Sequence, residues 1–163
     1  MHPLSMVLVL VFCSAFAAFA DMEVTRDRTS GDTTIKTKVR AVTTTPHIHL
    51  FGIFPAATKE PPTVALLLSA SAPSWRYREC HRTAWQVDNQ PLTLPQPSHD
   101  GKAGEGFVTE FLTIQPPSLE QIGRIAQART IEFTICEDAF TVSPEEMEDF
   151  RTFMDKAKEQ RRK

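Results

Sequence analysis

Apolar and polar residues alternate in short runs over most of the chain, and helical spacing replaces the alternation in two places. Period two predicts strands and period 3.6 predicts helices. From Thr33 to Val42, Thr33, Ile35, Thr37, Val39 and Ala41 alternate with Thr34, Lys36, Lys38, Arg40 and Val42. That pattern predicts a strand with one basic, solvent-facing side. Pro46–Phe54 is a second strand, with His47 and His49 on one face. Thr63–Ala70 is continuously apolar and reads as a central strand covered on both sides. In Trp75–Trp85, strand alternation puts Trp75, Tyr77 and Glu79 on one face and Arg76, Arg78 and Cys80 on the other. Asp88-Asn89 then forms a two-residue hairpin turn between Thr83–Val87 and Gln90–Leu94, because both residues tolerate positive φ. Pro95–Gly106, rich in Pro, Ser, Gly and charge, is expected to be an exposed loop.

Glu105–Phe153 carries the clearest punctuation. Phe107, Thr109, Phe111 and Thr113 alternate with Val108, Glu110, Leu112 and Ile114 in a strand that Pro116-Pro117 ends. Ser118 and Gln121 form a capping box at the start of a helix. Its buried face is Leu119, Ile122, Ile125 and Ala126, and it stops near Arg129. Gly123 weakens that helix or admits a close neighbour. Ile131, Phe133 and Ile135 mark a half-buried strand. A turn at Glu137-Asp138 leads to a short strand, Ala139–Val142. Ser143-Pro144-Glu145-Glu146 opens a second helix with an N-cap, a proline at the first helical position and a closing glutamate. Met147, Phe150, Met154 and Ala157 form its buried stripe, flanked by Phe153. The carboxylates of Glu145–Asp149 are assigned to its solvated side.

These elements define an α+β fold: a mostly antiparallel sheet of about six to eight strands, with the two helices of the C-terminal half on one face. The expected core comprises Val39, Leu50, Val64, Leu66, Leu68, Trp75, Tyr77, Trp85, Phe111, Ile122, Ile125, Ile131, Phe133, Ile135, Phe140, Phe150 and Met154.

The amino terminus changes the picture of where the chain goes. Leu4–Phe19 is almost wholly apolar, and Ala18-Phe19-Ala20 precedes Asp21 as an A-x-A-like cleavage site. Met1–Ala20 is therefore read as a signal peptide, and the protein as exported, periplasmic or extracellular. A membrane anchor is the alternative, although the run is short for a span and lacks an N-terminal Lys or Arg. Residues 21–163 are read as one α+β domain, with 158–163 as a frayed cationic tail. No second long apolar run follows, so no membrane span is expected in the mature chain. A net charge of -2 argues against a dedicated nucleic-acid binder.

Cys13 leaves with the signal segment, and Cys80 and Cys136 remain. In an exported protein two cysteines suggest one disulfide. Two separate buried thiols are the other arrangement.

No catalytic motif emerges. A nucleophile elbow and both nucleotide-binding glycine fingerprints are absent, the Gly101–Gly106 stretch included. Cys80 and His81 are adjacent, so on a strand they face opposite ways. His47 and His49 can chelate a metal only with a third ligand, and none is near in sequence. No cofactor or metal is assigned. Trp75, Arg76, Tyr77, Arg78 and Arg82 interleave aromatic rings with guanidinium groups. That composition suits a small ligand or a polyanion. The favoured reading is a strand with its aromatic face in the core and its arginines in solvent.

One further pattern is the order of Trp75, Tyr77, Asp88, Gly106 and Glu110, Ile122 or Ile125 with Ala126 and Ala128, Phe140, and Ser143-Pro144-Glu145-Glu146. It resembles that of uncharacterised exported bacterial domains of mixed α+β fold, over the C-terminal half only. Where a hairpin Asp-Gly would be expected, this chain has Asp88-Asn89. The resemblance implies no activity. The expected function is a non-enzymatic exported module that binds an envelope or extracellular protein. The alternative is ligand or polyanion binding through Trp75–Trp85, and behind it an unrecognised hydrolase.

Overall fold

A computed structural model describes residues 22–38, 40–56 and 60–162. The expected signal segment and the core candidate Val39 lie outside the described residues. Among the described residues, ten strands and two helices follow in order: β1 (Met22–Arg26), β2 (Thr33–Thr37), β3 (His47–Phe54), β4 (Thr63–Ala72), β5 (Thr83–Val87), β6 (Gln90–Leu92), β7 (Ser98–Ala103), β8 (Val108–Ile114), α1 (Leu119–Gln127), β9 (Ile131–Ile135), β10 (Asp138–Thr141) and α2 (Pro144–Arg161). The α+β class, with antiparallel pairing throughout, is the expected one.

The strands form two sheets rather than one. The larger has the order β1-β2-β3-β4-β8-β7, and the smaller β10-β9-β5-β6. The division follows from which strands hold the edges of β4. β4 is occupied on both edges by β3 and β8, so β5 finds its partners in β6 and β9.

Register in the large sheet places one residue of each alternating pair inward. Leu66 lies between Leu50 and Ile114, and Leu68 between Ile48 and Leu112, all fully or almost fully buried. A one-residue slip would turn this row outward, so burial fixes the register. The opposite face carries Phe51, Ala65, Leu67 and Phe111, half-buried or exposed. Phe111, expected in the core, lies on this face. Leu112 and Ile114 hold the inward positions instead.

The inward face receives α2. Gly52 makes room for it: a Cβ there would lie 2.8 Å from the rings of Phe153 and Phe54. Phe150 and Phe153 are both fully buried. α1 packs on α2 through Ile122, Ile125 and Ala126. A Cβ on Gly123 would meet Met154 at an ordinary 3.5 Å, so close packing does not require that glycine. Both helices carry the expected capping boxes, Ser118 with Gln121 and Ser143 with Glu146. The two sheets and two helices share a single core cluster.

Several expectations are corrected. β1 forms where no element was expected, and β7 lies inside the stretch assigned to a loop. Both are edge strands of mixed polarity, which period-two hydrophobicity does not mark. β2 stops at Thr37 rather than Val42. The β9–β10 turn is Cys136-Glu137, one residue earlier than expected, with Cys136 at φ 56°. Asp88 and Asn89, at φ 49° and 61°, make the predicted hairpin turn. The helix α2 continues to Arg161, into the tail expected to fray.

Candidate binding site

Between β4 and β5 the chain runs through residues 73–82 with no regular structure. This corrects the expected Trp75–Trp85 strand, of which only the end, from Thr83, belongs to a sheet. Pro73 and the demands of several anchors take the place of strand pairing.

The first anchor is Glu110. In phase with Val108, Leu112 and Ile114, it points into the protein and is 1 % exposed. Its Oε2 accepts the main-chain N–H of Arg76 (2.8 Å), and its Oε1 accepts that of Tyr77 (2.9 Å). His99 Nε2 lies 3.0 Å from the same Oε1. Burying a carboxylate is unfavourable unless hydrogen bonds replace its water, and here the loop backbone supplies them.

The second anchor is Asp138, at the start of β10. Its Oδ2 accepts from Arg76 Nη2 (2.7 Å) and from the Tyr77 hydroxyl (3.1 Å). Arg76 Nη1 also donates to the Thr44 carbonyl (2.8 Å). Tyr77 is 1 % exposed. Burial pushes its phenol pKa well above the usual value; the Arg76 cation opposes this, and the bond to Asp138 adds to it. The hydroxyl stays protonated and remains a donor.

The third anchor is covalent. Cys80 and Cys136 form a disulfide that joins the loop to the β9–β10 turn. Beside it, the Cys136 N–H donates to the Arg82 carbonyl (2.9 Å).

The outward side of the loop differs from what strand alternation predicts. Trp75, expected in the core, is 36 % exposed. Its indole lies across Gly101 of β7, where a Cβ would come within 2.5 Å of the ring, and its edge meets His99 at 5.9 Å. Arg78 stacks over the indole at 5.3 Å. Such a contact at the surface contributes roughly 0.5–1 kcal/mol. Arg76, assigned to solvent on the strand pattern, is tied to Asp138 and Thr44 instead. Tyr77 and Trp85 are buried as expected. Among the five residues singled out from sequence, Arg76 and Tyr77 thus hold the loop. Trp75, Arg78 and Arg82 face outward.

Glu110, Asp138, His99 and Gly101 were not identified from sequence. Glu110 carried a readable signal, since an acid in phase with apolar strand residues needs buried donors. Asp138 and His99 come from distant segments and left none.

Other polar groups converge around the amino end of α2. The carboxylates of Glu146 and Asp149 are buried, correcting their assignment to a solvated face. Glu146 accepts the Ile48 N–H (3.0 Å), and Asp149 pairs with Arg40 at 2.7 Å. They dock the helix where β2 leaves the edge of β3. His49 lies 2.9 Å from the Ser69 hydroxyl, a nucleophile–base distance. Ser69 is 1 % exposed, and among the described residues His49 Nδ1 has no hydrogen-bond partner, so the pair is buried and lacks the third group that orients the ring in a triad. Burial holds the His49 pKa below its ordinary value, with the charges of His47 and Arg40 acting the same way and Glu146 opposing. His47 turns to Thr43 and Glu146.

Among the described residues, no group of three His, Cys, Asp or Glu side chains is placed to hold a metal ion. Among them also, no helix is long and apolar enough to cross a membrane. A shallow groove of about 240 Å³ on the small sheet, floored by Ala84, Thr134 and Ala139, includes no residue of the pinned loop. No protein-family model matches the chain, and no curated protein matches it.

Proposed function

We propose that this protein is an exported, non-enzymatic binding module whose contact surface is the loop 73–82. One observation carries the reading: an irregular segment is fixed by a buried carboxylate, an ion pair and a disulfide, yet it directs Trp75 and Arg78 outward. A loop held rigidly on a scaffold is the usual place for a recognition surface. A large aromatic presented with little freedom loses little entropy on binding. Export rests on the apolar Leu4–Phe19 run and its A-x-A-like end. The kinship suggested with exported bacterial α+β domains rests instead on the order of residues from Trp75 to Ser143-Pro144-Glu145-Glu146. The partner class is an envelope or extracellular protein.

Two measurements test this. N-terminal sequencing of the protein recovered outside the cytoplasm is expected to begin at Asp21; retention inside the cell with an intact Met1 refutes export. Capture from an envelope extract with wild-type and Trp75→Ala baits is expected to yield a partner that the variant loses. Identical recoveries with both baits refute the loop as the contact surface.

A further inference from the structure

We infer that the pinned loop takes a single compact oxoanion, a carboxylate, sulfate or phosphate group, on the guanidinium of Arg78. The inference rests on the loop being a binding surface and names what the surface recognises.

Three arginines in the loop suggested a polyanion site, but the structure divides their work. Arg76 spends both terminal nitrogens on Asp138 and the Thr44 carbonyl. Arg82 is exposed and contacts no ring. Arg78 has no carboxylate in ion-pair range and no hydrogen-bond acceptor among the described residues, and it is stacked on Trp75. The exposed Arg124 also has no carboxylate in ion-pair range among the described residues, but it lies over no ring, and the charge of Arg129 acts on Asp88. A guanidinium that lies over an aromatic face and has no protein acceptor keeps its N–H donors available, and its planar fork matches a two-oxygen anion. Trp75 is itself immobilised by Gly101 and His99, so the guanidinium rests on a fixed platform.

The same geometry disfavours nucleic acid. One side of the indole lies against β7 and the other carries Arg78, which leaves no free face for a base. Tyr77 and Trp85 are buried, and one fixed cation in a chain of net charge -2 cannot follow a phosphate backbone.

The test is titration with sodium sulfate, sodium phosphate and sodium acetate at constant ionic strength, read by tryptophan fluorescence. Trp75 is the exposed reporter and Trp85 the buried reference. Saturable binding of at least one anion is expected, and the anion that binds most tightly identifies the ligand group. Arg78→Ala is expected to weaken it about tenfold or more, and Arg78→Lys to restore little, because an ammonium lacks the fork. Arg124→Ala is expected to have no effect. In separate titrations at varied sodium chloride, binding should weaken by screening, without the steep logarithmic slope that counterion release from a polyanion gives. No saturable response to any of the three anions overturns the inference, as does binding that survives Arg78→Ala. Tight binding of heparin or a single-stranded oligonucleotide with a slope of several overturns it in favour of a polyanion. If anions fail while Trp75-dependent capture succeeds, the module reading stands and the anion assignment falls.

Discussion

Glu110 Oε1 accepts the main-chain N–H of Tyr77 at 2.9 Å, across 33 residues of sequence. A strand carboxylate thereby fixes the conformation of an irregular segment in another part of the chain. Glu110→Ala leaves two loop N–H groups and His99 without their acceptor, and is expected to destabilise the fold by on the order of 3 kcal/mol. Glu110→Gln keeps one acceptor oxygen and should lose less. Urea denaturation checks both, and an unchanged midpoint for Glu110→Ala would show that the loop does not depend on this group.

The disulfide should be the second determinant of loop order. Reduction, or Cys80→Ser with Cys136→Ser, is expected to lower stability by about 2–4 kcal/mol. The single and double serine variants should match, since either breaks the same bond. Greater exchange of the Arg76 and Tyr77 amides after reduction would locate the loss in the loop. Equal stability of oxidised and reduced protein would contradict it.

Low pH should act through His49. Its pKa is held down in the folded protein by burial, so the unfolded chain binds the proton more readily. Stability is then complete above about 6.5, the pKa of a free histidine, and declines as pH falls towards the lower folded value. The decline is expected to be shallower in a His49→Leu, Ser69→Ala double variant, which removes the buried polar pair together. His47, Arg40 and Glu146 act on the same ring, so the comparison with the double variant, not the slope itself, isolates His49. Parallel curves for wild type and variant between about pH 7 and 5 would exclude His49 as the source.

Two glycines should respond differently to alanine. At Gly52 the new methyl meets Phe153 and Phe54 in the packed core, and a loss of about 1–3 kcal/mol is expected. At Gly101 it meets the exposed Trp75 ring, but also the Thr109 carbonyl at 2.9 Å. The indole is expected to swing into solvent, with a red-shifted emission and a smaller stability loss than at Gly52. Unshifted emission in Gly101→Ala would mean that the ring does not rest on β7 in solution.

The fold class was largely legible because caps and periodicity are local. Ser118 with Gln121, Ser143 with Glu146, and Asp88-Asn89 each state their structure within four residues. The division into two sheets was not, because it depends on which distant strand claims each edge of β4. The candidate site was half legible. Trp75 and Arg78 could be singled out by residue type, but their exposure, and the internal use of Arg76, depend on Glu110, Asp138 and Gly101. Alternation misled at Trp75 because main-chain N–H groups that a strand would give to a neighbour go to a carboxylate instead.

The Cys80–Cys136 bond, spanning a sequence separation of 56, closes a covalent ring that contains β5 to β9 and α1. A protease that cuts once inside that ring, for instance after Lys102 near the end of β7, releases nothing. The nicked chain migrates as one mass until a reductant is added, then separates into two. One such cut would leave the Trp75 loop attached to both halves of its support.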